Sequence, residues 1–300
     1  MQTPRIQVSP QGPEFSRIVA GVWRMAEWGW SVEQRRQWVE SCLELGVTTF
    51  DHADIYGGYT IEALFGEVLQ HAPYLRSRME LVSKCNIALT TQNRPQHRIK
   101  HYNTSREHII TSAERSLLNL RTDYLDCLLI HRPDPLMNVD EVAEAFSALQ
   151  LAGKVRYFGV SNFSPSQFEL LNSHFPLITN QVECSLLQMS PLHDGTLDQA
   201  QRLRCAPMIW SPLAGGGLFR GDGDRERRVR HELERIAQQL AVSPATVAYL
   251  WLLQHPARLL PLTGSGRVEA IRDAVAATGL VMDRQDWFAL WQASSGHEVP

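Results

Sequence analysis

The sequence predicts an α/β protein built as one (β/α)8 barrel, and three observations lead to this fold class. Short apolar runs rich in β-branched residues recur along the chain, and each is followed by a longer segment of helical period. Strands that alternate with helices pair in parallel through right-handed crossovers, and eight such units close a barrel. Because barrels of about 250 residues routinely fold as one unit, we expect residues 1–300 to form a single domain.

The predicted elements follow in order along the chain. The strands are expected at residues 17–23, 47–52, 80–85, 125–130, 155–160, 177–183, 206–211 and 259–262. The helices between them are expected at residues 31–45, 60–70, 105–120, 140–150, 165–172, 194–203 and 244–253. At the start of the first helix, Ser31 with Gln34 three positions later is typical of a capping box.

Some segments lie outside the eightfold repeat. Residues 6–19, with the turn-forming stretch 10–13, predict an N-terminal hairpin, and residues 225–241 and 284–293 predict extra helices near the C-terminus. The connections 86–104 and 214–224 are longer than the usual two to six residues of a βα loop, which indicates function or disorder.

Composition and charge exclude several classes of protein. A net charge of −3 with no basic stripe argues against a nucleic-acid partner, and no stretch approaches the ~20 apolar residues of a membrane span. The five scattered cysteines contain no C-x-x-C pair and are expected to be reduced and packed. The first residues lack the apolar segment of a secretory signal, so we expect a cytoplasmic protein; its oligomeric state is left open.

Polar side chains follow the ends of several predicted strands, where barrel enzymes carry their active sites. Asp51 ends the second strand and Tyr56 lies in the loop after it, while Lys84 and His131 end the third and fourth strands. Taken singly, each is more often a turn cap or a solvated side chain than a functional group. Because neighbouring strands bring them to one rim, we expect the four side chains to meet there.

Such a group would have the chemistry of a tuned proton donor. A tyrosine has an ordinary pKa of about 10 and exchanges protons poorly near neutral pH unless a nearby cation stabilises its phenolate. Lys84 could supply that charge, Asp51 could hold the ammonium in place, and His131 could orient a substrate oxygen. General acid catalysis of this kind contributes a factor of about 10² to 10⁴ in rate.

Six motifs, in order over almost the full length, make the sequence resemble the aldo-keto reductases. They are GVTTFDHADIYG at 46–57, LVSKCN at 81–86, DYLDCLLIHRPD at 123–134, GKVRYFGVSNFSPSQ at 153–167, TNQVECS at 179–185 and IWSPLAGGGLF at 209–219. The C-terminal half is most similar to bacterial oxidoreductases of this family with a Gly-Ser-Gly-basic loop after strand 8. The resemblance implies a nicotinamide cofactor, usually NADPH, and an aldehyde or ketone as the substrate.

The resemblance also implies roles for the four strand-end residues. By position, Tyr56 matches the family's proton donor and His131 its substrate-orienting histidine. Lys84 and Asp51 match the pair that tunes the tyrosine. His52 and Asp54 in the same motif match no functional position; strand alternation turns His52 away from Asp51, and we expect Asp54 to fix the loop.

The same resemblance implies a cofactor site. Ser161, Asn162 and Gln181 match the trio that binds the carboxamide, and Trp210 falls where the family usually stacks a tyrosine or phenylalanine on the nicotinamide ring. Residues 211–218 match the loop that closes over the pyrophosphate. The site residues expected in that loop are Ser211, Pro212, Leu213, Gly215 and Gly217.

The segment TGSGRVEAIRDA at 263–274 bears on the choice between NADPH and NADH. Ser265, Gly266 and Arg267 lie at the entry to a helix and fit a site for the adenosine 2′-phosphate. NADPH/NADP+ is therefore the predicted cofactor.

This segment also departs from the family pattern. Many relatives have a lysine where Gly264 stands and an arginine where Ala270 stands. Arg267, with Arg272 one turn further on as a second candidate, is therefore expected to carry the charge. Asp273 is the candidate partner of the adenine amino group.

Three tryptophans follow the first predicted strand. Trp23, at the strand end, is assigned to the cofactor site. Core packing is one interpretation of Trp28 and Trp30. The other is that they line an apolar substrate pocket, because their loop lies on the catalytic face.

Two functions from different classes are compatible with these features. The first is NADPH-dependent reduction of a small-molecule carbonyl substrate. The second is an NADP(H)-binding sensor or regulatory subunit with little turnover. No metal is predicted: His97 and His101 have the i, i+4 spacing of zinc ligands, but no glutamate follows His97 and the segment is a polar loop.

Overall fold

The computed structural model describes residues 2–299 and contains the closed barrel of eight parallel strands that the sequence predicts. The strands of this range are β1 (Arg5–Gln7), β2 (Glu14–Ser16), β3 (Val19–Gly21), β4 (Thr49–Asp51), β5 (Glu80–Cys85), β6 (Ile87–Ala88), β7 (His101–Tyr102), β8 (Leu125–Ile130), β9 (Val155–Ser161), β10 (Asn180–Glu183), β11 (Met208–Trp210) and β12 (Leu260–Thr263). Around the barrel the order is β3, β4, β5, β8, β9, β10, β11 and β12. The ring closes where β12 pairs with β3, with Leu262 opposite Val19.

Helices surround the barrel and connect its strands. They are α1 (Val32–Glu44), α2 (Ile61–His71), α3 (Arg106–Leu120), α4 (Val139–Leu151), α5 (Pro165–Asn172), α6 (Thr196–Leu203), α7 (Gly217–Arg220), α8 (Asp224–Leu240), α9 (Pro244–Leu253), α10 (Val268–Ala277) and α11 (Arg284–Ser295). The capping box predicted at Ser31 and Gln34 is confirmed at the start of α1. The extra helices predicted at 225–241 and 284–293 are α8 and α11.

Several strands are shorter than predicted, both at their starts and at the rim; β10, for example, starts at Asn180 rather than at residue 177. The first barrel strand ends at Gly21 rather than at Trp23, and β11 ends at Trp210 because Ser211 adopts a left-handed φ of 52°. The long connections are partly regular: β6 and β7 form a small antiparallel ribbon within 86–104, and α7 lies within 214–224.

The predicted N-terminal hairpin is confirmed as the antiparallel pair of β1 and β2, and it closes the bottom of the barrel. Its Val8 and Phe15 are fully buried among residues of the barrel interior such as Val82 and Leu260. The Ser16 hydroxyl accepts hydrogen bonds from two backbone amides just before and at the start of β4. The opposite end of the barrel, at the carboxyl ends of the strands, is left open for a site.

Within residues 2–299, no single helix has both the length and the apolarity needed to cross a membrane. The consecutive helices α8 and α9 meet these criteria only jointly, across a bend of 93°.

Candidate active site

A buried ion pair forms the floor of the site. Lys84, near the end of β5, donates to Asp51 Oδ2 at 2.7 Å, and both side chains are almost completely inaccessible to solvent. The ammonium also donates to the His52 carbonyl at 2.8 Å and to the Tyr56 hydroxyl at 3.0 Å. An ammonium has three protons, so Lys84 is fully satisfied and its charge is held directly beneath the tyrosine.

Tyr56 keeps its own proton available for donation. Its oxygen accepts from Lys84, so the hydroxyl hydrogen is not used in that contact. Burial raises the pKa of Tyr56 above its ordinary value of 10.0, while the charge of Lys84 opposes the increase. The effect of burial is the larger, so the phenol is a protonated group beside a fixed cation.

His131 lies next to this tyrosine, just beyond the end of β8. The two ring centroids are 6.0 Å apart in an edge-on arrangement. Burial, with the charge of Lys84 as a second cause, holds the pKa of His131 well below its ordinary 6.5. The imidazole is therefore neutral at physiological pH and can act as a hydrogen-bonding group rather than as a cation.

The four predicted catalytic residues thus meet at one rim, and a second polar group lies directly beside them. Gln181 donates from Nε2 to Asp51 Oδ1 at 2.8 Å, which fills the carboxylate oxygen that Lys84 leaves free. Ser161 donates to the Gln181 carbonyl at 2.9 Å, and Asn162 donates to the Ser161 hydroxyl at 2.8 Å. The predicted carboxamide trio is therefore coupled to the ion pair.

Trp210 completes this group at the end of β11. Its indole N–H donates to Asn162 Oδ1 at 3.0 Å, which fixes the ring beside the trio. Asn162 adopts a left-handed φ of 62°, a conformation that asparagine tolerates better than most residues. One face of the site thus combines an aromatic plane with amide and hydroxyl groups.

The predicted pyrophosphate loop follows Trp210 along the rim. Gly215 and Gly216 have φ values of 62° and 92°, so both occupy the left-handed region that favours glycine. The guanidinium of Arg220 donates to the Gly215 carbonyl at 2.7 Å and ties the loop to α7. Arg220 also lines the cavity and was not singled out from the sequence.

The predicted 2′-phosphate loop precedes α10. The Ser265 hydroxyl accepts from the backbone N–H of Arg267 at 3.1 Å, and Arg267 itself is exposed. An added Cβ on Gly266 would lie 2.9 Å from the ring of Trp30 and 3.0 Å from that of Trp28. Only glycine therefore lets the loop approach these two tryptophans so closely.

The three tryptophans after the first barrel strand have different neighbours in the site. Trp28 and Trp30 lie against the loop that the sequence assigns to the cofactor phosphate. Trp23, which the sequence assigns to the cofactor site, lies beside Tyr56 with ring centroids 6.5 Å apart. Because the three tryptophans follow one another in a single loop, the sequence alone does not show that their rings have different neighbours.

All of these groups face one cavity of about 1130 Å³ at the open end of the barrel. Most of the predicted site residues line it, and Lys84 lies just below its floor. The exceptions on its cofactor side are Gly217, Arg272 and Asp273, which do not line the cavity. Sequence reasoning missed several lining residues besides Arg220; among them are Lys100, Tyr102, Arg132, Glu183 and Tyr249.

The two motif residues without an assigned role are buried outside the cavity. His52 packs edge-on against Phe65 of α2 with centroids 4.5 Å apart, as strand alternation predicts. Burial lowers the pKa of His52 to about 3. Burial also raises the pKa of Asp54 well above its ordinary value, with the neighbouring Glu62 as the second cause.

The chain belongs to the aldo/keto reductase family: the sequence profile of the "Aldo/keto reductase family" matches residues 17–294. It is an oxidoreductase, and two similar relatives are named as an oxidoreductase and a reductase. It is 56% identical over 299 residues to "Oxidoreductase YdhF" of Escherichia coli (strain K12), covering 99% of each chain. It is also 45% identical to a "6-dehydroglucose reductase" of Agrobacterium fabrum, covering 95% of this chain and 96% of the relative.

A solved structure confirms the barrel architecture. The thermostable aldo-keto reductase Tm1743, in complex with the inhibitor epalrestat, superposes with a TM-score of 0.80 at 25% identity. The match covers 97% of this chain and 99% of that chain.

Proposed function

We propose that the protein is an NADPH-dependent reductase of aldehyde or ketone carbonyls, with Tyr56 as the proton donor. The observation that carries this proposal is the three-way hydrogen bonding of Lys84 to Asp51, His52 and Tyr56 beneath an open cavity. A protonated phenol beside a fixed ammonium is suited to donate to an oxygen on which negative charge develops.

The residues around the cavity fit a nicotinamide cofactor. The trio Ser161, Asn162 and Gln181 offers hydroxyl and amide groups of the kind that a carboxamide pairs with, and Trp210 offers a flat ring next to them. Left-handed glycines at 215 and 216 keep the backbone close to the cavity. When bound, the cofactor would supply the hydride for the carbonyl carbon.

The preference for the phosphorylated cofactor rests on the loop before α10. Ser265 and the exposed Arg267 precede a ten-residue helix whose N-terminus favours an anion. The contact of Gly266 with Trp28 and Trp30 supports a place for these rings at the phosphate end of the cofactor. Arg272 and Asp273 have weaker support, because neither lines the cavity.

The chain's own groups then account for the chemistry at the carbonyl oxygen. Neutral His131 would hydrogen-bond this oxygen and set its orientation. Tyr56 would donate its proton as the oxygen becomes an alkoxide, and the ammonium of Lys84 would stabilise the phenolate that remains. Asp51, held by Gln181, keeps the ammonium in position.

Tyr56→Phe tests the proton donor. We expect kcat/KM with aldehydes to fall by about 10² or more, because the fold and the cofactor site are retained while the donated proton is removed. NADPH consumption measures the rate, and quenching of tryptophan fluorescence measures cofactor binding, with NADPH expected to bind more tightly than NADH. Tyr74→Phe, an exposed hydroxyl outside the cavity, is the matched control.

Two outcomes would redirect the assignment. Full activity of Tyr56→Phe would mean that another group donates the proton. Hydride transfer in a single turnover without steady-state activity of the wild type would favour the alternative, an NADP(H)-binding sensor or regulatory subunit.

A further inference from the structure

The rim of the cavity divides into two halves. The strands β9, β10, β11 and β12 are neighbours in the barrel, and their ends supply the groups proposed to hold the cofactor. The strands β3, β4, β5 and β8 form the other half, which contains Tyr56 and His131. A carbonyl substrate must enter this second half to reach the tyrosine.

Three cations of the described cavity lining lie in this half without a carboxylate partner. Arg24, after β3, lies over the ring of Trp23 with 5.1 Å between its guanidinium carbon and the ring centroid, and the other two lie near His131. Arg132 follows His131 directly, and Lys100 comes from the connection after β5. Among residues 2–299 neither side chain has a hydrogen bond or an acidic oxygen within 4.0 Å. Both lie close enough to His131 for their charges to lower its pKa.

The position of Arg132 is fixed through its backbone. Asn86 donates from Nδ2 to the Arg132 carbonyl at 2.8 Å and accepts from the Arg132 N–H at 3.1 Å. Asn86 is fully buried and adopts a left-handed φ of 94°. The guanidinium lies 5.9 Å from the centroid of Trp210, beside the proposed nicotinamide platform.

The same asparagine also holds the segment that carries Lys100. The carbonyl of Asn86 accepts from the N–H of Asn103 at 2.9 Å, and Ile87 pairs with Tyr102 in the β6–β7 ribbon. The two cations therefore have a common structural support, although they are 32 positions apart in the sequence.

The local charge balance favours an anionic ligand. Apart from the paired Asp51, the only acidic residue of this described cavity lining is Glu183, which ends β10 on the other half of the rim. Burial raises the pKa of Glu183 while the charge of Arg132 opposes the increase, and the two side chains make no ion pair within 4.0 Å. Unpaired cations beside the apolar walls of Ile87 and Leu89 concentrate anions in such a cleft.

We propose that Arg132 and Lys100 bind an oxyanion, a carboxylate or a phosphate, carried by the carbonyl substrate. The inference rests on the proposed function and specifies its substrate class. Arg132 presents a planar fork that pairs with two oxygens at once, and Lys100 adds a second charge from the segment just before β7. These cations act in recognition, whereas the proton transfer stays with Tyr56.

The test compares aldehydes of one shape that differ in charge. The probes are 4-carboxybenzaldehyde, 4-formylphenyl phosphate, the neutral methyl 4-formylbenzoate and the neutral hydrogen-bonding 4-(hydroxymethyl)benzaldehyde. We expect the wild type to prefer one of the anionic probes over both neutral ones in kcat/KM, and the preferred anion identifies the source. Arg132→Gln should lower kcat/KM for that anion by about 10- to 100-fold and leave the neutral probes within about twofold.

Further variants separate charge from folding. Arg132→Lys should restore part of the preference, and Lys100→Gln, an exposed position, should lower it without affecting the fold. Arg98→Gln, in the same connection but outside the cavity, is the control. Equal activity on charged and neutral probes would overturn the inference, as would equal losses on all probes in Arg132→Gln.

Binding of the anion can also be measured without turnover. Calorimetric titration of the NADP+-loaded protein with 4-carboxybenzaldehyde and its methyl ester measures recognition alone. Tighter binding of the acid that disappears in Arg132→Gln supports the anion site even if no steady-state reduction occurs. Absence of that difference in an active reductase would reject the anion site and leave the proposed function intact.

Discussion

The charge of each group in the site is decided by its immediate neighbours. Lys84 keeps its charge because an anionic oxygen, a carbonyl and a hydroxyl take its three protons. Tyr56 keeps its proton because burial outweighs the effect of that cation on its pKa. From the sequence we could predict that these side chains meet, but the balance of burial against charge depends on packing that the sequence does not specify.

Gln181 likewise shows that long-range contacts cannot be predicted from the sequence. Its sequence position indicates a partner of the cofactor carboxamide, and the structure adds that its Nε2 is already committed to Asp51. The bond joins residues 130 positions apart, and no local pattern encodes such a pair. Similarly, Trp23 and Trp28 are only five positions apart, but Trp23 lies beside Tyr56 whereas Trp28 lies against Gly266.

His52 offers a residue-level prediction about pH and stability. Both of its ring nitrogens are buried and have no hydrogen-bond partner among residues 2–299, and its pKa of about 3 lies below the ordinary 6.5. Between these two values the unfolded chain binds more protons than the folded protein, so the free energy of unfolding decreases as the pH is lowered. For this group alone the loss from pH 7 to pH 4 is at most about 3 kcal/mol.

His52→Phe should remove the part of the acid-induced loss of stability that comes from this imidazole. Urea denaturation at pH 7 and pH 4 measures it, and the variant should lose less stability than the wild type on acidification. His231→Phe, an exposed histidine on α8, should behave like the wild type. An unchanged pH dependence in His52→Phe would show that the imidazole is not held neutral.

Among the elements, repeated strand–helix units were the most predictable feature. The apolar period located the helices closely, for example at α1 and at α5, and Ser31 marked the start of α1. The structure adds a second capping box at α5, formed by Ser164 and Gln167. The β6–β7 ribbon was not predicted, because each of its strands has only two residues and too few side chains to show alternation.

The packing of α2 against α3 yields a prediction at this scale. Gly66 lies where the two helices touch, and an added Cβ would overlap the carbonyl oxygen of Asn119. Backbone cannot move aside as a flexible side chain can, so Gly66→Ala should separate the helices and lower the free energy of unfolding by about 1–3 kcal/mol or more. Ala63→Ser on the exposed side of α2 should change it by less than about 0.5 kcal/mol. Equal urea midpoints for both variants would contradict this close contact.

At the scale of the whole molecule, the two ends of the barrel have separate tasks. The carboxyl ends of the strands support the cavity, whereas the opposite end is filled by the N-terminal hairpin. Phe15 is completely buried there and shares one apolar cluster with interior residues such as Val19, Leu129 and Met208. The sequence predicted the hairpin from its turn residues but gave no indication that its aromatic side chain would fill the barrel.

This division predicts that stability can be changed without altering catalysis. Phe15→Ala should lower the free energy of unfolding by about 3–5 kcal/mol, because it removes a large buried ring and leaves a cavity that the closed barrel cannot collapse around. Under conditions where the variant is folded, its kcat and KM for carbonyl substrates should stay within about twofold of the wild type, since the ring belongs to the hairpin at the end of the barrel opposite the cavity. Phe288→Ala, at a partly exposed ring on α11, should cost clearly less stability. A Phe15→Ala protein that is as stable as the wild type would contradict the role of the hairpin as the floor of the barrel, and a folded variant with impaired kcat would show that the two ends are coupled.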